Sequence, residues 1–176
     1  MTYLDLVDKW GAPGFRGREL VQGGNPRKAM PPKAMWQRME EVLVLANVLR
    51  MAVISRGATG LTVRAAYRPH GGAPKSAHKM NCALDLDLMP SDVTRCKAEG
   101  IDLRAAYAEE AVRVWCSIGA ASRMGLGLYG PAGREWTWRV HLDTERHRTW
   151  QHSGSRVVRP PAAIAIAKRL GMEVTP

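Results

Sequence analysis

At 176 residues the chain fits one domain and can bury a real core, and its hydrophobic content of 45% is ordinary for a soluble globular protein. No stretch of this sequence reaches the ~18 apolar residues of a membrane-spanning helix. The 26 Lys and Arg against 16 Asp and Glu are spread along the whole length, and the resulting net charge of +10 favours polyanions: nucleic acid, an anionic membrane face or bacterial cell wall.

The opening Met1-Thr-Tyr-Leu-Asp-Leu-Val-Asp is acidic where a signal peptide needs a basic region followed by a long apolar one, so the expectation is a chain made in the cytoplasm without such a signal. Residues 1–34 read as an irregular lead-in, rich from residue 11 onward in Gly, Pro and basic residues, including Gly23-Gly24-Asn25-Pro26 and Pro31-Pro32. From 34 to 55, Met35, Met39, Val42, Leu43, Ala46, Leu49 and Val53 recur at helical spacing, and Gly57 and Gly60 end the helix. Residues 61–67 alternate and are β-branched, predicting a strand that Arg68-Pro69-His70-Gly71-Gly72 breaks.

Residues 83–88 alternate strictly, with Asp85 and Asp87 on one face and Leu84, Leu86 and Leu88 on the other. A second helix is predicted over 102–118, burying Leu103, Ala106, Val112 and Trp115. A short strand follows at 125–130 and another at 136–142, where Trp136, Trp138, Val140 and Leu142 share one face and Arg139, His141 and Asp143 the other. Pro160-Pro161 starts a short helix to about 172, within a C-terminal extension of 153–176. With no repeat and no linker, the expectation is one α+β domain, a small antiparallel sheet flanked by helices.

Cys82, Cys96 and Cys116 are odd in number and lack Cys-x-x-Cys spacing, so no disulfide framework or structural zinc site is expected of them. Ser76-Ala-His78, Asp85 seven residues on, and His141 in a Trp-rich strand form a different set. Two neutral imidazoles and a carboxylate make a tripod for a divalent metal, with zinc the default and the fourth tetrahedral position left open, as in catalytic sites. Strand parity supports the set, because His141 and Asp85 both occupy the polar faces of their strands.

The blocks around these residues resemble the D-Ala-D-Ala carboxypeptidase family of zinc peptidases. Tyr67-Arg68, the Gly71-Gly72 loop, Ser76-x-His78-x6-Asp85 and the distant His141 match its motif in order. Gly125-Leu-Gly127-Leu-Tyr129 and Arg139-Val-His141-Leu-Asp143-Thr144, closing on Trp150, are similar to blocks of its murein endopeptidase and phage-lysin branches. The resemblance covers about residues 36–152, placing a catalytic core over 35–152. It implies an α+β fold with the zinc site on the sheet, metal ligation by His78, Asp85 and His141, and an Arg68 that holds a substrate carboxylate or polarises the scissile carbonyl. Ser76 fits as a donor to substrate and Tyr129 as a phenol at the rim.

Relatives carry an acid three residues before the final His, a position that is Trp138 here. Asp143, about 6.6 Å along the same strand face, is therefore expected to be the general base, with orientation of His141 as its other role. Glu135 has the right parity but sits about 20 Å away on an extended strand. His70, His147 and His152 read as surface residues.

The reading is a zinc-dependent murein peptidase that hydrolyses an amide bond in the peptide stem or cross-link. It would be a phage endolysin or lytic protein, acting as a monomer on anionic cell wall in the periplasm or outside the cell. The rivals are a basic nucleic-acid-binding protein with a structural His/Asp set, disfavoured by a single Phe and no recognition-helix motif, and a D-Ala-D-Ala dipeptidase, disfavoured by the missing acid at 138.

Overall fold

Leu84, Leu86 and Leu88 alternate with Ala83, Asp85 and Asp87, giving one strand two unlike faces, and the sheet is organised around that division. The computed structural model describes residues 1–21, 30–70, 74–99, 102–118, 123–131, 134–153, 156–158 and 161–174. Among them the strands are β1 (Leu61–Ala65), β2 (Ala83–Leu88), β3 (Gly125–Tyr129), β4 (Arg139–Asp143), β5 (Arg148–Ser153) and β6 (Arg156–Val158). The helices are α1 (Tyr3–Gly11), α2 (Gly17–Val21), α3 (Arg38–Ser55), α4 (Pro90–Glu99), α5 (Leu103–Ile118) and α6 (Ala162–Arg169). The fold is α+β.

The strands form one sheet in the order β1-β2-β4-β3-β5-β6. Every neighbouring pair is antiparallel except β3 and β5, which run parallel. The sheet is therefore larger than expected and not purely antiparallel. One face is apolar: Leu84 and Leu86 of β2, Val140 and Leu142 of β4, and Leu126 and Leu128 of β3 are fully buried. Against them pack α3, through Val42, Leu43, Ala46 and Leu49, and α5, through Tyr107, Ala108, Ala111 and Val112. Each leucine or valine among them contributes about 1.5–3 kcal/mol on leaving water. The Tyr107 hydroxyl, buried beneath β2, donates to the Leu86 carbonyl at 2.8 Å. The helical layer leaves the opposite face of the sheet to polar side chains.

Several sequence-derived boundaries move. The described part of the lead-in is largely helical. Thr2 caps α1 by accepting from the Asp5 amide, and the Asp5 carboxylate answers the Thr2 amide at 2.7 Å, while α2 follows at Gly17. The Gly23-Gly24-Asn25-Pro26 segment, Gly71-Gly72 and Pro160 lie outside the described residues. Sequence reading missed α4, although Pro90 at its first position is a helix-start signal. Its buried Asp92 accepts from both the amide and the hydroxyl of Thr59, fixing the turn that leads into β1. In α5 the buried stripe includes Tyr107, Ala108 and Ala111 rather than Ala106, and α6 seats Ala163, Ile166 and Ala167. β4 begins at Arg139, so Trp136 and Trp138 precede it, packed edge-on to each other.

Candidate metal centre

Strand register sorts the polar face into three cross-strand rows. Asp85, His141, Gly127 and Trp150 form the middle row. Ala83, Asp143, Gly125 and Arg148 flank it on one side, and Asp87, Arg139, Tyr129 and His152 on the other. Asp85 and His141 thus meet as direct cross-strand partners, where side chains interact most strongly. Sequence parity alone put them on like faces, and the pairing of β2 with β4 brings them into contact.

His78 comes from outside the sheet, on a 3-10 turn spanning Ala77–Met80. Asn81 ends that turn in the left-handed conformation, with φ of 54°. Its buried side chain is held at both ends: the carbonyl oxygen accepts from the Tyr3 hydroxyl at 3.0 Å, and the amide donates to the Met35 carbonyl at 2.9 Å. The Tyr3 hydroxyl is itself pushed up to about 12 by burial, so it stays a proton donor. In this way α1 and the segment before α3 fix the turn that carries His78. Sequence reading did not single out Asn81. The signal available was an Asn positioned to stop a short turn.

His78, Asp85 and His141 are all buried, and one donor atom from each lies within 4.8 Å of the others. Nδ1 of His78 donates to the Ala66 carbonyl at 2.6 Å, which leaves Nε2 of the neutral ring with its lone pair. That Nε2 has no hydrogen-bond partner and stands 3.3 Å from Oδ1 of Asp85. On the other side, Nδ1 of His141 lies 2.8 Å from the same Oδ1, and the two imidazoles meet edge-on at 4.8 Å. Two imidazoles and a carboxylate gathered this closely are the donor types that divalent metals take. The group could hold a metal ion. Burial pushes the Asp85 carboxyl up, but the hydrogen bond with His141 and the closeness of the two imidazoles outweigh it and hold the group well below the usual carboxylate range. Asp85 is accordingly an anionic donor.

Asp143 sits behind His141. Its Oδ2 is 3.3 Å from Nε2 of the ring and 3.0 Å from Nη2 of Arg148, and its Oδ1 accepts from the Glu145 amide at 3.0 Å. The residue is fully buried, and its engaged oxygens do not offer a free proton acceptor to a substrate. Burial pushes the Asp143 carboxyl up, but His141, Arg148 and the Glu145 amide together bring it below its ordinary value. This placement departs from the expected general base and suits orientation of the ligand ring.

Two glycines make room for this arrangement. A Cβ on Gly125 would stand 2.5 Å from Oδ2 of Asp143, and one on Gly127 would stand 2.6 Å from the Trp150 ring. The bare strand β3 lets side chains of β4 and β5 cross over it. Trp150 reaches His141 at 5.0 Å between ring centroids, and Arg148 lies over the Trp150 ring at 4.9 Å. Arg148 and β5 were missed from the sequence, since Arg148–Ser153 has charged and polar residues where a strand pattern needs apolar ones.

Comparison with family models, with curated proteins and with solved structures finds no match. The site must therefore be read from its own geometry.

Arg68 is exposed, and its amide donates to the His78 carbonyl at 3.2 Å, tying it to the ligand turn. Ser76 is half-buried immediately before that turn, and its carbonyl accepts from the Lys79 amide at 2.9 Å. Tyr129 lies in the row next to the metal row. Burial raises its phenol, with Asp85 adding to the effect and Arg139 and Arg68 opposing it. Arg68 and Ser76 thus adjoin the His78 turn through the backbone, and Tyr129 adjoins the row of Asp85 and His141. Trp138 is exposed, and Glu135 is bound to Arg169 at 2.8 Å. Asp87 is held by Arg139 in a two-pronged pair at 2.7 and 2.9 Å. His147 and His152 are not free surface residues: they are half-buried and stack on Trp115 and Tyr129 respectively, while His70 is exposed.

Proposed function

We propose that the chain is a zinc-dependent peptidoglycan peptidase of the phage lytic type, resembling the D-Ala-D-Ala carboxypeptidase and murein endopeptidase family. The observation that carries it is Nε2 of His78: buried, unpartnered, fixed as a lone-pair donor by Ala66, and converging with Asp85 and His141. Two imidazoles and one carboxylate are a donor set for zinc. Zinc held by three protein donors supplies Lewis acidity, which polarises an amide carbonyl and acidifies water.

The chain's own residues do the rest. Asp143, anchored by Arg148, accepts the Nε2 proton of His141 and so keeps Nδ1 directed at Asp85 and His78. Arg68, exposed and free of any ion pair with a described residue, offers a planar fork to a substrate carboxylate or to the scissile carbonyl. Ser76 and Tyr129 line the approach as hydrogen-bonding groups. Asp87 and Asp143 are both engaged by arginines, which ties their carboxylates to positioning roles. The net charge of +10 favours anionic wall polymers as the partner, and the protein would act on the wall in the periplasm or outside the cell.

The test is digestion of purified peptidoglycan, with products read by mass spectrometry and metal content by elemental analysis. The expected outcome is a new amino terminus within the stem or cross-link, one zinc per chain, and loss of both in His141→Ala. Intact peptidoglycan with zinc fully bound would overturn the peptidase reading.

A further inference from the structure

A cavity of about 350 Å³ opens at the end of the sheet where β2 begins and β4 ends. Its walls include Arg38 and Glu41 from the first turn of α3, Met80 from the end of the His78 turn, and Arg123, Thr144 and Glu145 from the approaches to β3 and β5. It is not the metal cradle. Thr144 lies three residues past His141, about 10 Å along an extended chain, and its amide closes the floor by donating to the Cys82 carbonyl at 3.1 Å.

The charges on its walls are of both signs and incompletely used. Arg38 and Glu41 make no ion pair with any described residue. Nη2 of Arg123 donates to the Glu145 backbone carbonyl at 2.6 Å, leaving the rest of its guanidinium uncommitted. Glu145 meets Arg148 at 3.3 Å through one carboxylate oxygen only. Arg38 and Glu145 line the cavity together with the buried Cys82. Arg123 has a φ of 56°, in the left-handed region that non-glycine residues rarely adopt. Such conformations persist where the surroundings impose them and cluster at ligand sites.

Size and charge together narrow the occupant. Ligand pockets run from about 300 to 1,000 Å³, and this one is at the small end, the scale of an amino acid rather than an oligosaccharide. A polyanion would meet Glu41 and Glu145, and a simple cation would meet Arg38 and Arg123. We propose that this cavity is a second binding site, separate from the metal centre, for a small amphoteric ligand whose carboxylate pairs with Arg38 and Arg123 and whose ammonium pairs with Glu41 and Glu145. This inference stands apart from the peptidase reading and survives its failure.

The probe is meso-diaminopimelate, titrated into the full chain while backbone amide resonances are followed by NMR. Pimelate, with the same carboxylates and no ammonium, and cadaverine, with ammonium groups and no carboxylate, are the controls. The expected result is a saturable shift of Met80, Arg123, Thr144 and Glu145 with diaminopimelate alone. Arg38→Ala and Glu41→Ala should each weaken it by about tenfold, the value of one charge-assisted contact. Both residues are exposed, and a dispersed spectrum checks that each variant folds. Four results would overturn the proposal: no saturable shift; an equal response to pimelate or cadaverine; shifts confined to Asp85 and His141; or binding untouched by both substitutions.

Discussion

Oδ2 of Asp143 stands 3.3 Å from Nε2 of His141, at the ring nitrogen opposite the one that meets Asp85. A carboxylate behind a ligand histidine sets its tautomer and raises its basicity, and removing such a partner typically costs 10–100-fold in metal affinity. Asp143→Asn should therefore weaken zinc by about that factor in chelator competition, with activity recovering as zinc is raised. A fall in turnover of 10²–10⁴-fold with zinc affinity unchanged would restore Asp143 as the base.

Zinc should stabilise the fold as well as serve the reaction. The three donors come from a turn and two strands, so an ion that binds only the folded state adds about 2.7 kcal/mol at 100 times its Kd. For a chain of this length that raises Tm by about 5–11 °C in differential scanning calorimetry. His78→Ala and His141→Ala should lose the zinc-dependent part of Tm while keeping their circular dichroism.

Gly127→Ala should be costly for a reason visible in the rows. Its Cβ would press into the Trp150 ring at 2.6 Å, and the large indole has no free end to swing aside. Overpacking of this kind costs about 1–3 kcal/mol, or about 2–12 °C in Tm for this length. The double variant Gly127→Ala/Trp150→Ala should recover much of the strain, and strict additivity of the two changes would count against the clash.

Burial pushes the Cys82 thiol up to about 11, with Asp143 and Glu145 adding to the effect. At pH 8 the thiolate fraction is then about 10⁻³, and the thiolate is the reactive form. Alkylation followed by peptide mapping should label the half-buried Cys96 and Cys116 well before Cys82, with Cys82 reacting fully only in denaturant. Rapid labelling of Cys82 in the folded chain would contradict its burial.

Sedimentation with purified cell walls should weaken as salt rises from about 0.05 to 0.5 M, because the Debye length falls several-fold over that range. Equal pelleting throughout would show that recognition is not electrostatic. A tighter salt-sensitive affinity for duplex DNA would favour the nucleic-acid rival over the wall.

The gathering of His78, Asp85 and His141 was legible in the sequence because two of them lie seven residues apart and the third sits at fixed parity on a recognisable strand. Alternation at 83–88 gave β2 and its two faces correctly, for burial of Leu84 and Leu86 dictates it. What escaped was everything that depends on distant partners. Neither Asn81 nor Arg148 carries a periodic signal, and each gains its role from contacts that only the tertiary fold creates. The surroundings of Asp143 escaped for a related reason: strand parity fixes which face it occupies, but not that Arg148 and the Glu145 amide engage its oxygens. α1 was hidden by the Gly- and Pro-rich stretch after it, although the Thr2 and Asp5 pair is a start signal of its own.

The strand order has a kinetic consequence. β4 lies between β2 and β3, so His141 reaches Asp85 only after chain elements 56 residues apart have paired. Contacts of such sequence separation pay loop-closure entropy before they return anything, and they form late. A metal ion can therefore latch the finished sheet but cannot seed it. In stopped-flow refolding, zinc uptake should trail the far-ultraviolet helical signal, which makes metal capture a clock for the moment β4 slots home.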